Sequence, residues 1–124
     1  MKFVTAINCM DGRTQVPVAE HLKAKYGATY VDTITEPGVD RIVAEEPEDS
    51  PVIEALKKKC NISIEHHNSD LIAVVGHHGC AGNPVEKEEH LEHIKKAVER
   101  LKGWYPDLTI IGIWVDEEWK ANEL

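Results

Sequence analysis

Residues 71–77 read LIAVVGH, five apolar side chains followed by a glycine and a histidine. The run is short and includes the β-branched side chains that strands favour. An almost wholly apolar run of this length is typical of a strand that is buried on both faces, in the middle of a parallel sheet. We therefore predict that residues 71–77 form a central strand of a sheet covered by helices.

Three further runs share this short, β-branched character, and helical segments separate them. The segment after the first strand has Pro17 in its first turn and Gly27 as its end signal. A later segment places Cys60 on an apolar stripe at helical spacing, and Asn61 could interrupt it. The predicted strands are KFVTAIN (2–8), TYVDTIT (29–35), LIAVVGH (71–77) and LTIIGIWV (108–115), and the predicted helices occupy 16–27, 39–46, 51–68 and 84–106.

The alternation of strands and helices predicts an α/β protein. We expect a three-layer, Rossmann-like architecture, in which a mostly parallel sheet of four to five strands carries helices on both faces. The chain has 124 residues, of which 42% are hydrophobic and 29% are charged. These values lie in the range of one globular domain. No repeat, low-complexity tract or long linker divides the chain, so we expect a single domain over residues 1–124.

The formal net charge is −8, from 22 acidic and 14 basic residues. A field of this sign repels phosphate backbones, so we expect no nucleic-acid partner. No apolar run approaches the roughly 20 residues that cross a bilayer, and the N-terminus lacks the order of a secretory signal. We expect no membrane partner and a soluble, cytoplasmic protein. The three cysteines are then expected to be reduced thiols rather than a disulfide framework.

Chemically reactive side chains follow two of the predicted strands. NCMDGR (8–13) comes at the end of the first strand, and GHHGCAGNP (76–84) begins where the central strand ends. The carboxyl ends of parallel strands form the edge at which α/β proteins bind ligands, so Cys9, His77 and Cys80 can meet there. Two thiolates and one imidazole suit tetrahedral zinc and leave its fourth position open. An open position is typical of catalytic zinc, which lowers the pKa of a bound water toward about 7.

The two motifs, C-x-D-x-R at 9–13 and H-x-x-C at 77–80, together resemble the signature of the beta-class carbonic anhydrases. The resemblance implies the fold predicted above and a zinc lyase that hydrates carbon dioxide to bicarbonate. It implies a homodimer or a larger homo-oligomer, and it implies that Asp11 and Arg13 form a catalytic dyad beside the metal. The zinc ligands that it implies are Cys9, His77 and Cys80.

The dyad has a physical interpretation. Arg13 can hold the carboxylate of Asp11 in a charge-assisted fork that keeps it ionised and oriented. Asp11 can then accept a hydrogen bond from a zinc-bound hydroxide, which aims an oxygen lone pair at the carbon of the substrate. In the family the aspartate either does this or, in a closed resting form, coordinates the metal itself. The motifs depart from the family at Gly12, where serine is usual, and at Ala81, where glycine is usual.

Other functions could use the same residues. A zinc site of this kind could hydrolyse carbon disulfide or carbonyl sulfide, which are linear molecules like carbon dioxide. The chain could also be a non-catalytic zinc-binding module in which Asp11 permanently fills the fourth position. Asp11 and Arg13 could form an ion pair that only stabilises their loop.

The remaining cysteine, histidines and tryptophans have simpler interpretations. We expect Cys60 in the core, and His78 in a supporting or surface position. The three tryptophans are expected to pack in the core and at helix ends, although Trp114 and Trp119 could lie in a subunit interface. We expect the other histidines of the helical segments to lie in solvent or to cap helix carbonyls. These are His66, His67, His90 and His93.

Overall fold

The computed structural model describes all 124 residues and contains five strands: β1 (Phe3–Asn8), β2 (Tyr30–Thr35), β3 (Leu71–His77), β4 (Thr109–Val115) and β5 (Ala121–Glu123). They form one sheet in the order β2-β1-β3-β4-β5. The first four strands are parallel, and β5 pairs antiparallel with β4. All seven residues of β3 are buried at the centre of the sheet, as its apolar run predicted. The predicted fold class is confirmed, whereas β5 has no apolar run that could locate it in the sequence.

Four α-helices and a short 3-10 helix (Gly12–Thr14) connect the strands: α1 (Gln15–Tyr26), α2 (Val39–Glu45), α3 (Pro51–His67) and α4 (Lys87–Trp104). α3 begins after Ser50, whose hydroxyl accepts a hydrogen bond from the N–H of Ile53, and ends at Asn68 with φ of 55°. It continues through Asn61 without interruption. α4 begins later than predicted, because Glu86 is still extended with ψ of 166°.

Both faces of the sheet are buried. Ile72 and Val74 of β3 lie in one apolar cluster with side chains of α2, α3 and α4. Ala73 and Val75 point to the opposite face and pack with Leu22 of α1, since successive strand residues alternate between faces. Each fully buried aliphatic side chain contributes about 1.5–3 kcal/mol to folding. None of the helices combines the length and the apolar character that a membrane crossing needs.

Two histidines of α4 are buried beside other side chains, so the prediction that they lie in solvent or cap helix carbonyls was wrong. His90 is 1% exposed and His93 is 4% exposed. α2 packs against α4 and places Asp40 beside them, with Oδ2 of Asp40 2.6 Å from Nδ1 of His90. The side-chain amide of Asn83 donates to Oδ1 of Asp40 at 3.1 Å and lies 3.0 Å from Nδ1 of His93. Polar side chains are buried where partners offer hydrogen bonds, and the partners of both Nδ1 atoms come from outside α4.

Candidate metal centre

The carboxyl edge of the sheet brings the two reactive segments together. β2 and β3 flank β1 on opposite sides, so the strand order reverses between β1 and β3, which is where α/β sheets bind ligands. Cys9 follows β1, His77 ends β3, and Cys80 lies in the next loop. All three residues are buried, and their ligand atoms lie within 4.8 Å of one another.

The donor atoms of this cluster fit a metal ion. Nδ1 of His77 lies 2.8 Å from the carbonyl oxygen of His78, so a proton on Nδ1 is donated there and the lone pair remains on Nε2. That Nε2 is buried and has no hydrogen-bond partner. The sulfurs of Cys9 and Cys80 are 3.9 Å apart, close to the spacing of about 3.8 Å for two thiolates on a tetrahedral zinc. Three residues with this chemistry can hold a metal ion.

The cluster favours negative charge on sulfur. The hydrogen bond from the Cys80 thiol lowers the pKa of Cys9 to about 4, although burial opposes the shift, and His77 and the backbone N–H groups of Asp11 and Gly38 also lower it. The pKa of Cys80 is raised, because Cys80 gives the proton in that bond and is itself buried. Burial lowers the pKa of His77, but the nearby negative charge of Cys9 and the hydrogen bond to the carbonyl of His78 contribute to a net rise. The thiolate is the form in which cysteine binds metals.

Asp11 and Arg13 form a fork at the edge of this cluster. Nε of Arg13 donates to Oδ1 of Asp11 at 3.0 Å, and Nη2 donates to Oδ2 at 2.7 Å. The backbone N–H of Arg13 adds a third hydrogen bond to Oδ1 at 2.9 Å. The hydrogen bonds from Arg13 lower the pKa of Asp11 to about 2, so this carboxylate is ionised near neutral pH. Nη2 also lies 3.5 Å from the carbonyl oxygen of Gly79, next to Cys80.

Two amide residues support the loops of the cluster without having attracted attention in the sequence. Nε2 of Gln15 donates to the carbonyl oxygen of Cys9 at 2.7 Å and to that of Asp11 at 3.2 Å. The backbone N–H of Asn83 favours the thiolate of Cys80. Neither residue has a sequence signal, because only the fold decides which groups lie opposite the side-chain amide of Gln15 and the backbone N–H of Asn83.

Trp119 covers one side of Arg13. Cζ of Arg13 lies 4.2 Å from the centroid of the Trp119 ring. The rings of His77 and His78 both lie 6.4 Å from Trp119, and His78 is exposed, in a surface position as predicted. From the sequence we expected Trp119 to be a packing residue or to lie in a subunit interface. Its contact with Arg13 could not be foreseen, because it depends on the turn between β4 and β5.

An open cleft of about 590 Å³ adjoins Cys80, and its walls include the side chains of His78, Pro84, Trp114 and Glu117. The loop that carries Cys80 therefore has solvent on one side, although Cys80 itself is only 4% exposed. A small molecule can reach this loop without opening the core.

Several solved structures with this fold are beta-carbonic anhydrases. One of two tetrameric beta-carbonic anhydrases from the filamentous ascomycete Sordaria macrospora superimposes with a TM-score of 0.65 and 14% identity, over 98% of this chain and 79% of that chain. The beta-carbonic anhydrase CcaA gives a TM-score of 0.63 and 15% identity, over 97% of this chain and 78% of that chain. A variant of the beta-carbonic anhydrase CafD from Aspergillus fumigatus gives a TM-score of 0.63 and 14% identity, over 100% of this chain and 90% of that chain. At this identity the likeness shows a shared fold.

The sequence comparisons are consistent with the fold. No curated protein sequence matches this chain. The resemblance to carbonic anhydrases that the two motifs indicated is confirmed at the level of the family. A family model described as "Putative carbonic anhydrase" matches residues 1–124, and the protein therefore belongs to that family.

Proposed function

We propose that this protein is a zinc-dependent carbonic anhydrase that hydrates carbon dioxide to bicarbonate. The observation that carries the proposal is the convergence of two free thiols and a buried, unpaired imidazole nitrogen beside a carboxylate held in an arginine fork. Membership of the family and the beta-carbonic anhydrase fold support the same activity. The fold alone would not be sufficient, because one fold serves many reactions.

The proposed zinc ligands are Sγ of Cys9, Nε2 of His77 and Sγ of Cys80. When bound, zinc would supply a Lewis acid that makes a water molecule acidic enough to lose a proton near neutral pH. The carbonyl of His78 keeps the proton of the imidazole on Nδ1, so Nε2 stays available. Three protein ligands leave one position for solvent, which is the arrangement of catalytic zinc sites.

Asp11 is proposed to orient the reacting water through Oδ2. Oδ1 accepts two hydrogen bonds, from the backbone N–H and from Nε of Arg13, whereas Oδ2 accepts one from Nη2. Because each carboxylate oxygen can accept two hydrogen bonds, Oδ2 retains a free lone pair. With a pKa of about 2, Asp11 accepts a hydrogen bond from the water without taking its proton, so that a lone pair of the water faces carbon dioxide.

Arg13 is proposed to keep Asp11 in this orientation. Two parallel hydrogen bonds from one planar guanidinium restrict the rotation of the carboxylate more than a single contact would. The fork also occupies Asp11, so that its carboxylate does not turn toward the metal ligands. Asp11 and Arg13 are thus proposed as the catalytic dyad, with Asp11 acting directly and Arg13 acting on Asp11.

We also propose that the chain forms a homodimer or a larger homo-oligomer. The relatives from Sordaria macrospora are described as tetrameric. In this chain Met10 and Val16, on either side of the dyad, are 63% and 62% exposed, and a partner subunit would cover them. Light scattering of the purified protein measures the assembly directly.

The test of the function is zinc content measured together with stopped-flow hydration of carbon dioxide. We expect one zinc per chain and hydration by the native protein. Asp11→Asn should retain zinc and lose most of the hydration, by about 100-fold, as expected for a group that orients the reacting molecule. The matched control is Asp49→Asn, since Asp49 is an exposed aspartate. This variant should keep both the bound zinc and the hydration activity.

The same measurements separate the other interpretations. Bound zinc without hydration by the native chain would contradict the proposed reaction and favour a zinc-binding module. Carbon disulfide and carbonyl sulfide, assayed beside carbon dioxide, would reveal a hydrolase that uses the same residues. Equal hydration by the native chain and by Asp11→Asn would remove Asp11 from the mechanism.

A further inference from the structure

The side chain of Arg13 has few restraints apart from its fork with Asp11. It is 54% exposed, and an exposed ion pair is weak because water competes for both partners and both side chains lose freedom on pairing. The third contact of its guanidinium, to the carbonyl of Gly79, is long at 3.5 Å. A further restraint on Arg13 is therefore needed to keep the dyad in one orientation.

Trp119 provides a flat surface for this guanidinium. The indole ring lies 4.2 Å from Cζ of Arg13, within the range of a cation–π contact, and arginine stacks well on aromatic faces. Stacking leaves the N–H groups at the rim of the guanidinium free to point sideways. Those are the groups that reach Asp11.

The backbone holds Trp119 in an unusual conformation to achieve this contact. Its φ is +60°, a left-handed value that residues other than glycine and asparagine seldom adopt. A residue without a Cβ would be the expected occupant of this turn. A large β-carbon-bearing side chain at such a position is often retained for a function that uses it.

A set of hydrogen bonds within the turn maintains this conformation. The N–H of Trp119 donates to the carbonyl of Asp116 at 2.9 Å. Oδ1 of Asp116 accepts from the N–H groups of Glu118 and Lys120 at 2.9 and 3.0 Å. Oδ2 accepts from the side-chain amide of Asn122 at 2.9 Å, in β5. The β4–β5 turn therefore holds the backbone of Trp119 in place without help from Arg13.

We propose that Trp119 is a positioning residue of the reaction: its ring restricts the Arg13 guanidinium to the plane in which Nε and Nη2 fork Asp11. The effect of Trp119 on the reaction rests on the proposed function, whereas the restriction of Arg13 by Trp119 does not. The antiparallel hairpin formed by β4 and β5 thereby becomes part of the site. Trp119 itself does not contact the reacting atoms.

The test uses three variants. Trp119→Leu removes the aromatic face, Trp119→Phe keeps a smaller one, and Trp119→Asn removes it while suiting the left-handed backbone. The matched control is Trp104→Leu, because Trp104 also stacks on an arginine, with Cζ of Arg100 at 4.9 Å, on a different part of the molecule. Circular dichroism first establishes which variants fold.

The decisive measurement is the NMR signal of the Arg13 Nε–H, assigned by its loss in Arg13→Lys and recorded with and without zinc. In the native protein we expect an upfield shift from the indole ring and slow exchange with solvent. Trp119→Leu and Trp119→Asn should lose both, Trp119→Phe should retain part of the shift, and Trp104→Leu should change neither. This readout does not depend on turnover.

Kinetics measure the consequence. We expect kcat for carbon dioxide hydration to fall about 3- to 30-fold in Trp119→Leu and Trp119→Asn, the range that the energy of a cation–π contact allows. KM should be unchanged, and Trp119→Phe should recover most of the rate. An unchanged Arg13 signal in a folded Trp119→Asn or Trp119→Leu protein would overturn the inference. The native protein could also fail to hydrate carbon dioxide while the Trp119 variants still lose the Arg13 signal. That result would uphold the contact between Trp119 and Arg13 and would contradict the proposed function instead.

Discussion

Gly38 and Gly82 pack backbone against backbone. A Cβ on Gly38 would lie 2.5 Å from the carbonyl carbon of Gly82, and a Cβ on Gly82 would lie 2.6 Å from the carbonyl carbon of Pro37. Gly38 also has a φ of +62°. The contact joins the loop after β2 to the loop that carries Cys80. Because the backbone N–H of Gly38 favours the thiolate of Cys9, this glycine contact helps to bring the two sulfurs together.

Gly82→Ala should destabilise the fold by about 1–3 kcal/mol, the usual cost of forcing an extra carbon into a packed contact. It should also weaken zinc binding, because the loop of Cys80 must move. Urea unfolding and zinc titration measure the two effects. The control is Gly103→Ala, where nothing lies within 4 Å of the added carbon, and a helical alanine should stabilise by about 0.5–1 kcal/mol. Equal stability of the two variants would contradict the role of the contact.

Cys9→Ser and Cys80→Ser should each lower the affinity for zinc by more than about 100-fold, since even the partners of metal ligands commonly contribute 10- to 100-fold. Cys60→Ala should leave the affinity unchanged, because Cys60 lies 1% exposed in the core, away from the cluster. Competition with a fluorescent zinc chelator gives the three values. Comparable losses in all three variants would indicate unfolding rather than loss of ligands.

Cys60 should be unreactive toward thiol reagents in the folded protein. Burial raises the pKa of its thiol to about 12, so the reactive thiolate is scarce at pH 8. Iodoacetamide labelling followed by peptide mass spectrometry should show Cys60 modified only after denaturation. Modification of Cys60 in the native protein at the rate of an unfolded peptide would show that the helix α3 does not bury it.

Glu123 should make stability depend on pH below about 4.5. Burial opposes its ionisation, but hydrogen bonds from Lys25, His21 and Tyr26 outweigh burial and lower its pKa to about 2. The stabilisation is therefore complete above the ordinary glutamate pKa of 4.5 and is lost as the pH falls toward 2, because the unfolded chain takes up the proton first. Glu123→Gln should lose about 1–2 kcal/mol of unfolding free energy at pH 7, with no difference from the native protein near pH 2.

Urea unfolding at several pH values measures this effect, and Glu20→Gln is the control. Glu20 is an exposed glutamate on α1, the helix that also carries the three partners of Glu123. A constant difference between native and Glu123→Gln proteins from pH 7 to pH 2 would rule out the linkage.

Asp40 should be essential for the packing of α2 on α4. Its Oδ2 lies 2.6 Å from Nδ1 of His90, and both side chains are 1% exposed. Gly76 gives the carboxylate room, since a Cβ there would lie 2.6 Å from Oδ2. Removing one partner of such a buried pair costs about 3–5 kcal/mol, so Asp40→Leu should lower the unfolding free energy by about this amount. Asp40→Asn, which keeps one acceptor oxygen, should lose less.

Four of the five strands and the four α-helices could be located in the sequence, because each follows a local pattern. β1 and β3 begin and end within a residue of their predicted positions, since apolar runs bounded by polar residues mark strand ends. The start of α4 was predicted at Pro84, whereas Glu86 is still extended and the helix begins at Lys87; its apolar stripe begins only at Leu91 and does not mark the first turn. The burial of His90 could not be predicted, because its partner Asp40 lies 50 positions away in the chain.

The sequence by itself determined the alternation of strands and helices and the two groups of reactive side chains at strand ends. It could do so because apolar periodicity and the chemistry of a motif are properties of neighbouring residues. Only the tertiary structure decided that Trp119 stacks on Arg13, that Gly38 contacts Gly82 and that His90 is buried. These contacts join segments far apart in the chain, and the free energy of each depends on a distance and an orientation that the packing of the whole fold sets.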